Sequence, residues 1–225
     1  MDGFEIPTEE IDMMNEVNNS HESTHNPETY GEVTQLGARQ LFYYMKMFNN
    51  DKIHFIDLGS GNGKLVVQAY LEIPFLMKAQ GIELSPARHN HANKSWDNIK
   101  GEANELRTET IKLHRTLSET NNQYQNKDTK NDTVLNLVQG DLFEMDISTA
   151  THIYVASLCF TDEMMNALST KIMTEGKNLQ YVATLKQFSI EIEKVGGFIK
   201  ESRYVEMTWT KPRGMGGVVY FYSKK

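Results

Sequence analysis

A glycine-rich turn at residues 59–63 is the part of this sequence best suited to bind a ligand. An apolar run leads into it over residues 53–58, and the amphipathic segment LVVQAYLEI follows at once. The pattern therefore predicts a strand, a tight turn and a helix. Glycine permits positive φ angles and close approach of a ligand, and the first amides of a helix have no partner within it. The residues that would meet such a ligand are Asp57, Gly59, Ser60, Gly61 and Gly63.

Several classes of ligand bind to a strand, turn and helix of this kind, and the spacing of the glycines distinguishes between them. A P-loop needs GxxxxGK[ST], but Leu58 stands at the first glycine position and Leu65 at the serine or threonine that binds magnesium. This mismatch argues against a triphosphate site. The dinucleotide fingerprint GxGxxG fits only in part, because Gly59 and Gly61 match whereas Lys64 replaces the third glycine.

Apolar runs alternate with amphipathic segments along the chain, and this order predicts the fold. Strands are predicted at 53–58, 78–84, 134–138, 151–156, 179–185, 198–209 and 218–222, and helices at 34–48, 64–72, from 86 past 96, and 161–174. Gly101 is the expected break in the third helix. The expected fold is α/β and doubly wound, with a mainly parallel seven-stranded sheet that ends in a C-terminal antiparallel hairpin.

Composition indicates one globular domain preceded by an acidic segment. The 225 residues are 39% hydrophobic, without an apolar run long enough for a membrane span. The formal net charge of -7 is uneven, because residues 1–32 hold nine of the 30 acidic residues and no Lys or Arg. We therefore expect a mobile arm at residues 1–28 and one domain at residues 29–225, with a flexible polar insertion at about residues 118–133.

The single cysteine, Cys159, excludes an internal disulfide and indicates a reducing compartment. The acidic N-terminus does not resemble a signal peptide. We therefore expect an intracellular protein, either cytoplasmic or nuclear. Cys159 itself ends an apolar strand and has no neighbouring histidine in the sequence, so we expect it to pack in the core rather than act as a nucleophile.

Residues 21–25, HESTH, are a formal HExxH motif, which in zinc proteases places two histidines on one face of a helix. Such a site needs a packed helix, whereas this segment is polar and Pro27 follows it closely. We therefore interpret the motif as a chance match and predict no metal.

Three acidic residues follow three of the predicted strands, and these are Asp57, Glu83 and Asp141. The ends of such strands lie along one edge of a doubly wound sheet, where ligands bind. S-adenosyl-L-methionine (SAM) presents hydrogen-bond donors at its amino group, ribose hydroxyls and adenine amine, so spaced carboxylates fit it. Glu83 would accept from the ribose hydroxyls. Asp141 would accept from the adenine amine, with Leu142 and Phe143 beside it. The D-L-G-x-G-x-G pattern is also similar to that of class I SAM-dependent methyltransferases, and SAM is the expected cofactor.

Motifs along the chain also resemble those of the disruptor-of-telomeric-silencing histone lysine methyltransferases. The resemblance runs in order from Tyr30 to about residue 222. The matching elements are Tyr30-Gly31-Glu32 (YGE in the family), residues 57–63 (DLGSGxG), Glu83 (the ribose-binding acid), residues 140–143 (GDFL), residues 208–210 (SWT), residues 211–212 (KP) and Tyr220 (YY).

The resemblance implies methyl transfer from SAM to a lysine side chain of a protein. Glu32 and Asp57 would lie near the amino-acid end of the cofactor, and Trp209 and Tyr220 would line a narrow channel for the acceptor lysine. A lysine attacks only as the neutral amine, but its pKa of about 10.4 in water leaves it protonated at pH 7. Desolvation among Trp209, Tyr220 and Tyr30, together with the cofactor's positive charge, would favour the neutral form, so no dedicated general base is needed.

Departures from the family concern the acceptor more than the cofactor. Residues 155–160 read VASLCF where the family has VNNFAF. Leu142 stands where the family stacks a Phe on adenine, which leaves Phe143 for that role. The family's long helical N-terminal domain and lysine-rich nucleosome-binding tail have no counterpart in these 225 residues, and an acidic arm would repel DNA.

Three hypotheses about function remain. In the first, the chain methylates a lysine of a histone or another basic protein, with no membrane and little direct contact with nucleic acid. In the second, the acceptor is RNA or a small molecule. Residues 156–159, ASLC, lack the NPPY-type tetrapeptide of enzymes that methylate nucleobase amines, which argues against that acceptor. In the third, the chain is a non-catalytic SAM-binding module whose acidic arm docks a basic protein.

Overall fold

The structure is a computed structural model that describes residues 32–50, 52–120, 134–210 and 216–225. The chain divides after Glu32, and residues 33–225 form one compact unit, which is the subject of the following description. Several sequence predictions lie outside the described residues: the mobile arm at 1–28 with its HExxH motif, Tyr30-Gly31, most of the polar insertion and the Lys211-Pro212 pair.

Within the described residues, seven strands form one sheet in the order β3-β2-β1-β4-β5-β7-β6. The strands are β1 (Ile53–Leu58), β2 (Leu76–Glu83), β3 (Val134–Gln139), β4 (His152–Val155), β5 (Tyr181–Thr184), β6 (Phe198–Val205) and β7 (Gly217–Lys224). The first five are parallel, and β7 runs antiparallel to both β5 and β6. The predicted mainly parallel sheet with an antiparallel C-terminal hairpin is therefore confirmed.

The chain order of the strands reverses between β1 and β4, because the chain crosses from the edge strand β3 back to the middle of the sheet. The ends of β1 to β5 lie on one side, which we call the carboxyl edge, and their beginnings lie on the opposite side, the amino edge. A crevice forms at the reversal point of such sheets, outside the carboxyl ends of the strands.

Helices cover both faces of the sheet, as the alternating pattern predicts. They are α1 (Gln35–Tyr44), α2 (Lys64–Glu72), α3 (Pro86–Thr120), α4 (Asp162–Glu175) and α5 (Glu191–Lys194). Side chains of α1 and α2 join the first hydrophobic core, and those of α4 and α5 join the second core on the other face. Along β1 the side chains alternate between these cores, since Phe55 belongs to the first and Ile56 to the second. None of the described helices is both long and apolar enough to cross a membrane.

The third helix does not break at Gly101 as predicted, but continues from Pro86 to Thr120. Arg107, which is fully buried, holds it in place. Its guanidinium donates to the carbonyl oxygens of Tyr70, Ile73 (3.1 Å) and Leu76 (3.0 Å), where α2 ends and β2 begins. This anchoring outweighs the low helix propensity of a single exposed glycine.

Two further expectations about local structure are wrong. The predicted strand at 198–209 ends at Val205, and Thr208–Thr210 form a 3-10 turn because the chain bends away from β7 there. Cys159 does not lie in a buried strand, because β4 ends at Val155 and Ser157–Cys159 form a second 3-10 turn in which the thiol-bearing residue is exposed. The four-residue helix α5 was not predicted, since it is too short to show a periodic pattern.

Candidate functional site

The glycine turn between β1 and α2 depends on backbone conformations that only glycine adopts readily. Gly59, Gly61 and Gly63 have φ angles of 90°, 53° and 74°. The amides of Gly59 and Ser60 both donate to the carbonyl of Ile82 on β2, at 2.9 Å. Gly63 is the N-cap of α2 and makes no side-chain cap hydrogen bond to that helix. A helix start that is not capped by a side chain suits a polar or anionic ligand.

A glycine on the neighbouring strand lets the turn lie close to the sheet. A Cβ added to Gly81 would come within 2.6 Å of Ser60 Oγ and 2.9 Å of Val66 Cγ2. No side chain covers the turn from the other side at Gly59, where an added Cβ would meet no atom within 4 Å. The turn is thus packed on β2 and open towards the carboxyl edge.

Glu83 is buried at the end of β2 and connects the glycine turn to the start of α3. Its Oε2 accepts from the amide of Gly61 at 2.8 Å, and its Oε1 accepts from the amide of Ser85 at 2.9 Å. An ionised carboxylate can accept about four hydrogen bonds. Glu83 can therefore accept further bonds from a pair of ligand hydroxyls while it keeps both backbone contacts.

Asp57 is buried at the end of β1, and no hydrogen-bond donor among the described residues reaches its carboxyl group. Burial, together with the negative charge of Glu83, raises the pKa of Asp57 to about 8. Tyr154 stands opposite Asp57 on β4, and burial and the Asp57 charge raise the pKa of its phenol. A ligand with a positively charged group that donates hydrogen bonds would stabilise the ionised Asp57.

Asp141 follows the end of β3 and shapes the third part of the carboxyl edge. Its Oδ1 accepts from the amide of Phe143 at 2.8 Å, which closes a tight turn. The amide of Gly140 donates to the carbonyl of Glu83 at 3.0 Å and so brings this turn beside the end of β2. Leu142 and Phe143 are half-buried and pack against the second core. The structure thus brings all the predicted cofactor-binding residues to one edge.

The residues predicted to line an acceptor channel are not all placed together. Tyr220 lies opposite Thr184 at the end of β5 and packs against the second core. Trp209 is 38% exposed and lies beside Gly217, where an added Cβ would point towards Met207 of the first core. Trp209 therefore lies beside the start of β7, on the face of that strand opposite to the one that carries the Tyr220 side chain. Tyr30 lies outside the described residues and Glu32 precedes the compact unit, so both stay sequence predictions.

Sequence reasoning missed Tyr154, because nothing in the strand THIYVA shows which strand lies beside it. The pairing of β1 with β4 sets Tyr154 opposite Asp57, and that pairing depends on a crossover of more than ninety residues. The described residues contain no group of three or more His, Cys, Asp or Glu side chains arranged to hold a metal ion.

The arrangement fits a ligand that carries an ammonium group and a pair of hydroxyls. The buried Asp57 suits the ammonium group, and Glu83 suits the hydroxyls because its carboxylate can accept more than its two backbone hydrogen bonds. The open space above Gly59 leaves room for the chain between these two groups. SAM has these features in that order.

Comparison with known proteins gives one family match and many similar folds. Residues 12–203 match the protein-family model described as "Histone methylation protein DOT1". A search of curated protein sequences gives no significant match.

Among solved structures, the methyltransferase domain of bacterial CtHen1 is 14% identical with a TM-score of 0.51, covering 85% of this chain and 100% of that one. An RNA methyltransferase from Salinibacter ruber, in complex with S-adenosyl-L-homocysteine, is 21% identical with a TM-score of 0.47, covering 83% and 88%. TrmK from M. capricolum, also with S-adenosyl-homocysteine, is 9% identical with a TM-score of 0.48, covering 83% and 68%. At these identities the similarity concerns the fold, and the CtHen1 domain carries it.

Proposed function

The chain belongs to the DOT1 histone methylation family and is a SAM-dependent methyltransferase, and we propose that it transfers the methyl group to a lysine side chain of a protein. The observation that carries this proposal is the family match, which spans residues 12–203 and therefore includes the glycine turn, Glu83 and Asp141. A histone or another basic protein is the proposed partner.

The residues at the carboxyl edge suit the cofactor, which supplies an electrophilic methyl group on a sulfonium when bound. We assign Asp57 to the amino group of the cofactor, because its buried carboxyl has no other donor among the described residues. Glu83 would accept from the ribose hydroxyls, and Asp141 from the adenine amine. Leu142 and Phe143 would flank the adenine, since they are half-buried beside Asp141. The glycines at 59, 61 and 63 keep side chains away from this path.

The acceptor side of the site has to desolvate an amine. Tyr220 offers an aromatic ring beside the end of β5, where a lysine side chain would approach the crevice near β4. Transfer of the lysine from water to such an apolar surface lowers its pKa, which favours the nucleophilic neutral amine. Positioning then contributes a large part of the rate, because the amine must lie in line with the methyl group at roughly 3 Å. We retain Trp209, Tyr30 and Glu32 as predicted contributors.

The proposal is tested with radiolabelled SAM added in parallel to whole lysate, free histones and intact nucleosomes, each separated on a gel after nuclease or protease treatment. We expect label on a protein band that survives nuclease and disappears with protease. Acid hydrolysis of that band should then release methyllysine. Gly61→Arg, which fills the turn next to Glu83, is the matched inactive control.

Each other label pattern overturns the proposal in a specific way. Label that nuclease removes would make RNA the acceptor, and label confined to the low-molecular-mass fraction would indicate a small molecule. SAM binding by calorimetry without label in any fraction would favour the non-catalytic module.

A further inference from the structure

The connection between β4 and α4, residues 156–161, lies at the carboxyl edge beside β1 and β5. It therefore borders the crevice next to Asp57, on the side away from Glu83 and Asp141. It presents apolar and weakly polar side chains to the solvent, since Leu158 is 50% exposed and Cys159 is also exposed. An acceptor that enters from this side meets Leu158 and Cys159.

Lys186, two residues after the end of β5, holds this connection at both ends. The backbone amide of Lys186 donates to Ser157 Oγ at 3.0 Å, and its Nζ donates to the carbonyl of Phe160 at 2.8 Å. Lys186 Nζ also pairs with Asp162 Oδ1 at 2.8 Å, in the first turn of α4. These contacts link the end of β5 to both the start and the end of the connection.

Lys186 is held by buried contacts of its main chain, and it also contacts the connection through its ammonium group. Ser157 and Thr184 are fully buried, and Thr184 Oγ1 donates to the carbonyl of Lys186 at 2.7 Å. The backbone contacts of Lys186 do not need its side chain. Among the described residues, the contacts of Lys186 to Phe160 and Asp162 depend on its ammonium group, and they border Leu158 and Cys159.

We infer that Lys186 is a positioning residue for methyl transfer, which fixes residues 156–161 so that Leu158 and Cys159 form one wall of the acceptor site. This inference rests on the proposed function. Lys186 touches neither of the reacting groups; it acts through the connection. The ion pair is partly exposed to water, with side chains 36% and 84% accessible, so its contribution to global stability is small and its effect is local.

Lys186→Met is the test, with Lys200→Met as the matched control. Lys200 forms a similar single ion pair, with Glu193 at 3.3 Å, and does not contact the connection. For Lys186→Met we expect SAM affinity within twofold of the wild type and at least a tenfold fall in kcat/KM for the acceptor. Lys186→Arg should recover part of that loss because it keeps a donor and a positive charge. Lys200→Met should leave both quantities unchanged.

A second measurement follows the connection without using activity. Cys159 is the single cysteine of the chain, so a thiol-reactive fluorophore labels this connection alone. We expect lower fluorescence anisotropy in Lys186→Met than in the wild type or Lys200→Met, at equal helix content by circular dichroism. If Lys186→Met does not fold, Asp162→Asn replaces it, since it removes the ion pair and leaves the bond to Phe160.

Unchanged kcat/KM or unchanged anisotropy in Lys186→Met would overturn the inference while methyl transfer to protein by the wild type still supported the proposed function. A wild type that methylates RNA instead of protein would overturn the proposed function, and a tenfold loss on the RNA acceptor in Lys186→Met would still support the inference. A wild type that binds SAM and transfers no methyl group would overturn both.

Discussion

The amino edge and the carboxyl edge of the sheet both bury ionisable side chains, but these side chains differ in whether they have hydrogen-bond partners. At the amino edge, His152 Nε2 donates to the carbonyl of Met45 at 3.0 Å and Nδ1 lies 2.8 Å from Thr151 Oγ1. His54 has Gln80 Oε1 at 2.7 Å and Thr149 Oγ1 at 3.0 Å. At the carboxyl edge, Asp57 is equally buried, but no donor among the described residues reaches it.

The hydrogen bonds of His54 and His152 are those of residues that stabilise the fold, whereas a buried carboxyl such as Asp57, with no donor among the described residues, is suited to bind a ligand. A buried polar group with partners costs little, whereas a buried carboxyl without them destabilises the folded chain whenever it must ionise. The pKa of Asp57 is about 8 in the folded chain and 3.8 in its ordinary state. The unfolded chain therefore binds fewer protons between those values, and the free energy of unfolding decreases as the pH rises across that interval.

Removal of a buried cation that donates to three carbonyl oxygens should have the largest effect on stability. Arg107→Met keeps an apolar side chain at the amino edge but leaves the carbonyl oxygens of Tyr70, Ile73 and Leu76 without their donor. We expect the free energy of unfolding to fall by roughly 3 kcal/mol or more, measured by urea denaturation.

A matched control distinguishes burial from charge. Arg39 forms a bidentate ion pair with Glu72 on the surface, with the arginine side chain 56% exposed. Arg39→Met should change the free energy of unfolding far less than Arg107→Met, because an exposed ion pair contributes little to stability. Equal losses in Arg39→Met and Arg107→Met would contradict the contrast between buried and exposed anchoring.

At the carboxyl edge, the corresponding substitution should have opposite effects on binding and stability. Asp57→Asn removes the carboxylate that we assign to the amino group of SAM, and we expect at least a ~100-fold loss of affinity by calorimetry. The unliganded variant should nevertheless be more stable at pH 7, by about 1–3 kcal/mol, because Asn is neutral and does not have to take up a proton on folding as Asp57 does. A thermal melt without ligand checks this. A variant that is less stable and binds SAM normally would make Asp57 a structural residue.

The histidine at the amino edge should give a pH dependence of opposite sign. Burial lowers the pKa of His152 to about 4 from its ordinary value of 6.5. As the pH falls from 6.5 towards 4, His152 becomes protonated in the unfolded chain but stays neutral in the folded chain. The free energy of unfolding therefore decreases with falling pH. The expected slope is about 1.4 kcal/mol per pH unit.

In the wild type, Asp57 and His152 change the free energy of unfolding with pH in opposite directions between pH 4 and pH 6.5. Asp57→Asn removes one of them, so urea titrations of that variant should show a steeper loss of stability towards low pH than the wild type. Adding His152→Gln should flatten the curve again. Parallel curves for the wild type and Asp57→Asn would show that Asp57 ionises normally in the folded chain.

Predictions from the sequence succeeded where the signal is local. The glycine turn is bounded by a strand at 53–58 and a helix at 64–72, as their patterns indicate. The prediction at Gly101 failed because the partners of Arg107 lie more than thirty residues away in sequence. Likewise, the pairing of Asp57 with Tyr154 and the contacts of Lys186 depend on which strands become neighbours, which no local pattern specifies.

Gly101 within α3 and Gly63 in the glycine turn should respond in opposite directions to substitution by alanine. Gly101 lies within α3, has no positive φ angle, and an added Cβ there would meet no atom within 4 Å. Gly101→Ala should therefore stabilise the chain by about 0.5–1 kcal/mol. Gly63 has a φ of 74°, and an added Cβ would lie 3.3 Å from Leu137, so Gly63→Ala should destabilise it by about 1 kcal/mol or more. Thermal melts of both variants without ligand would check this, and a Tm for Gly63→Ala equal to or above that of the wild type would mean that the turn tolerates a side chain and is not specialised for close approach of a ligand.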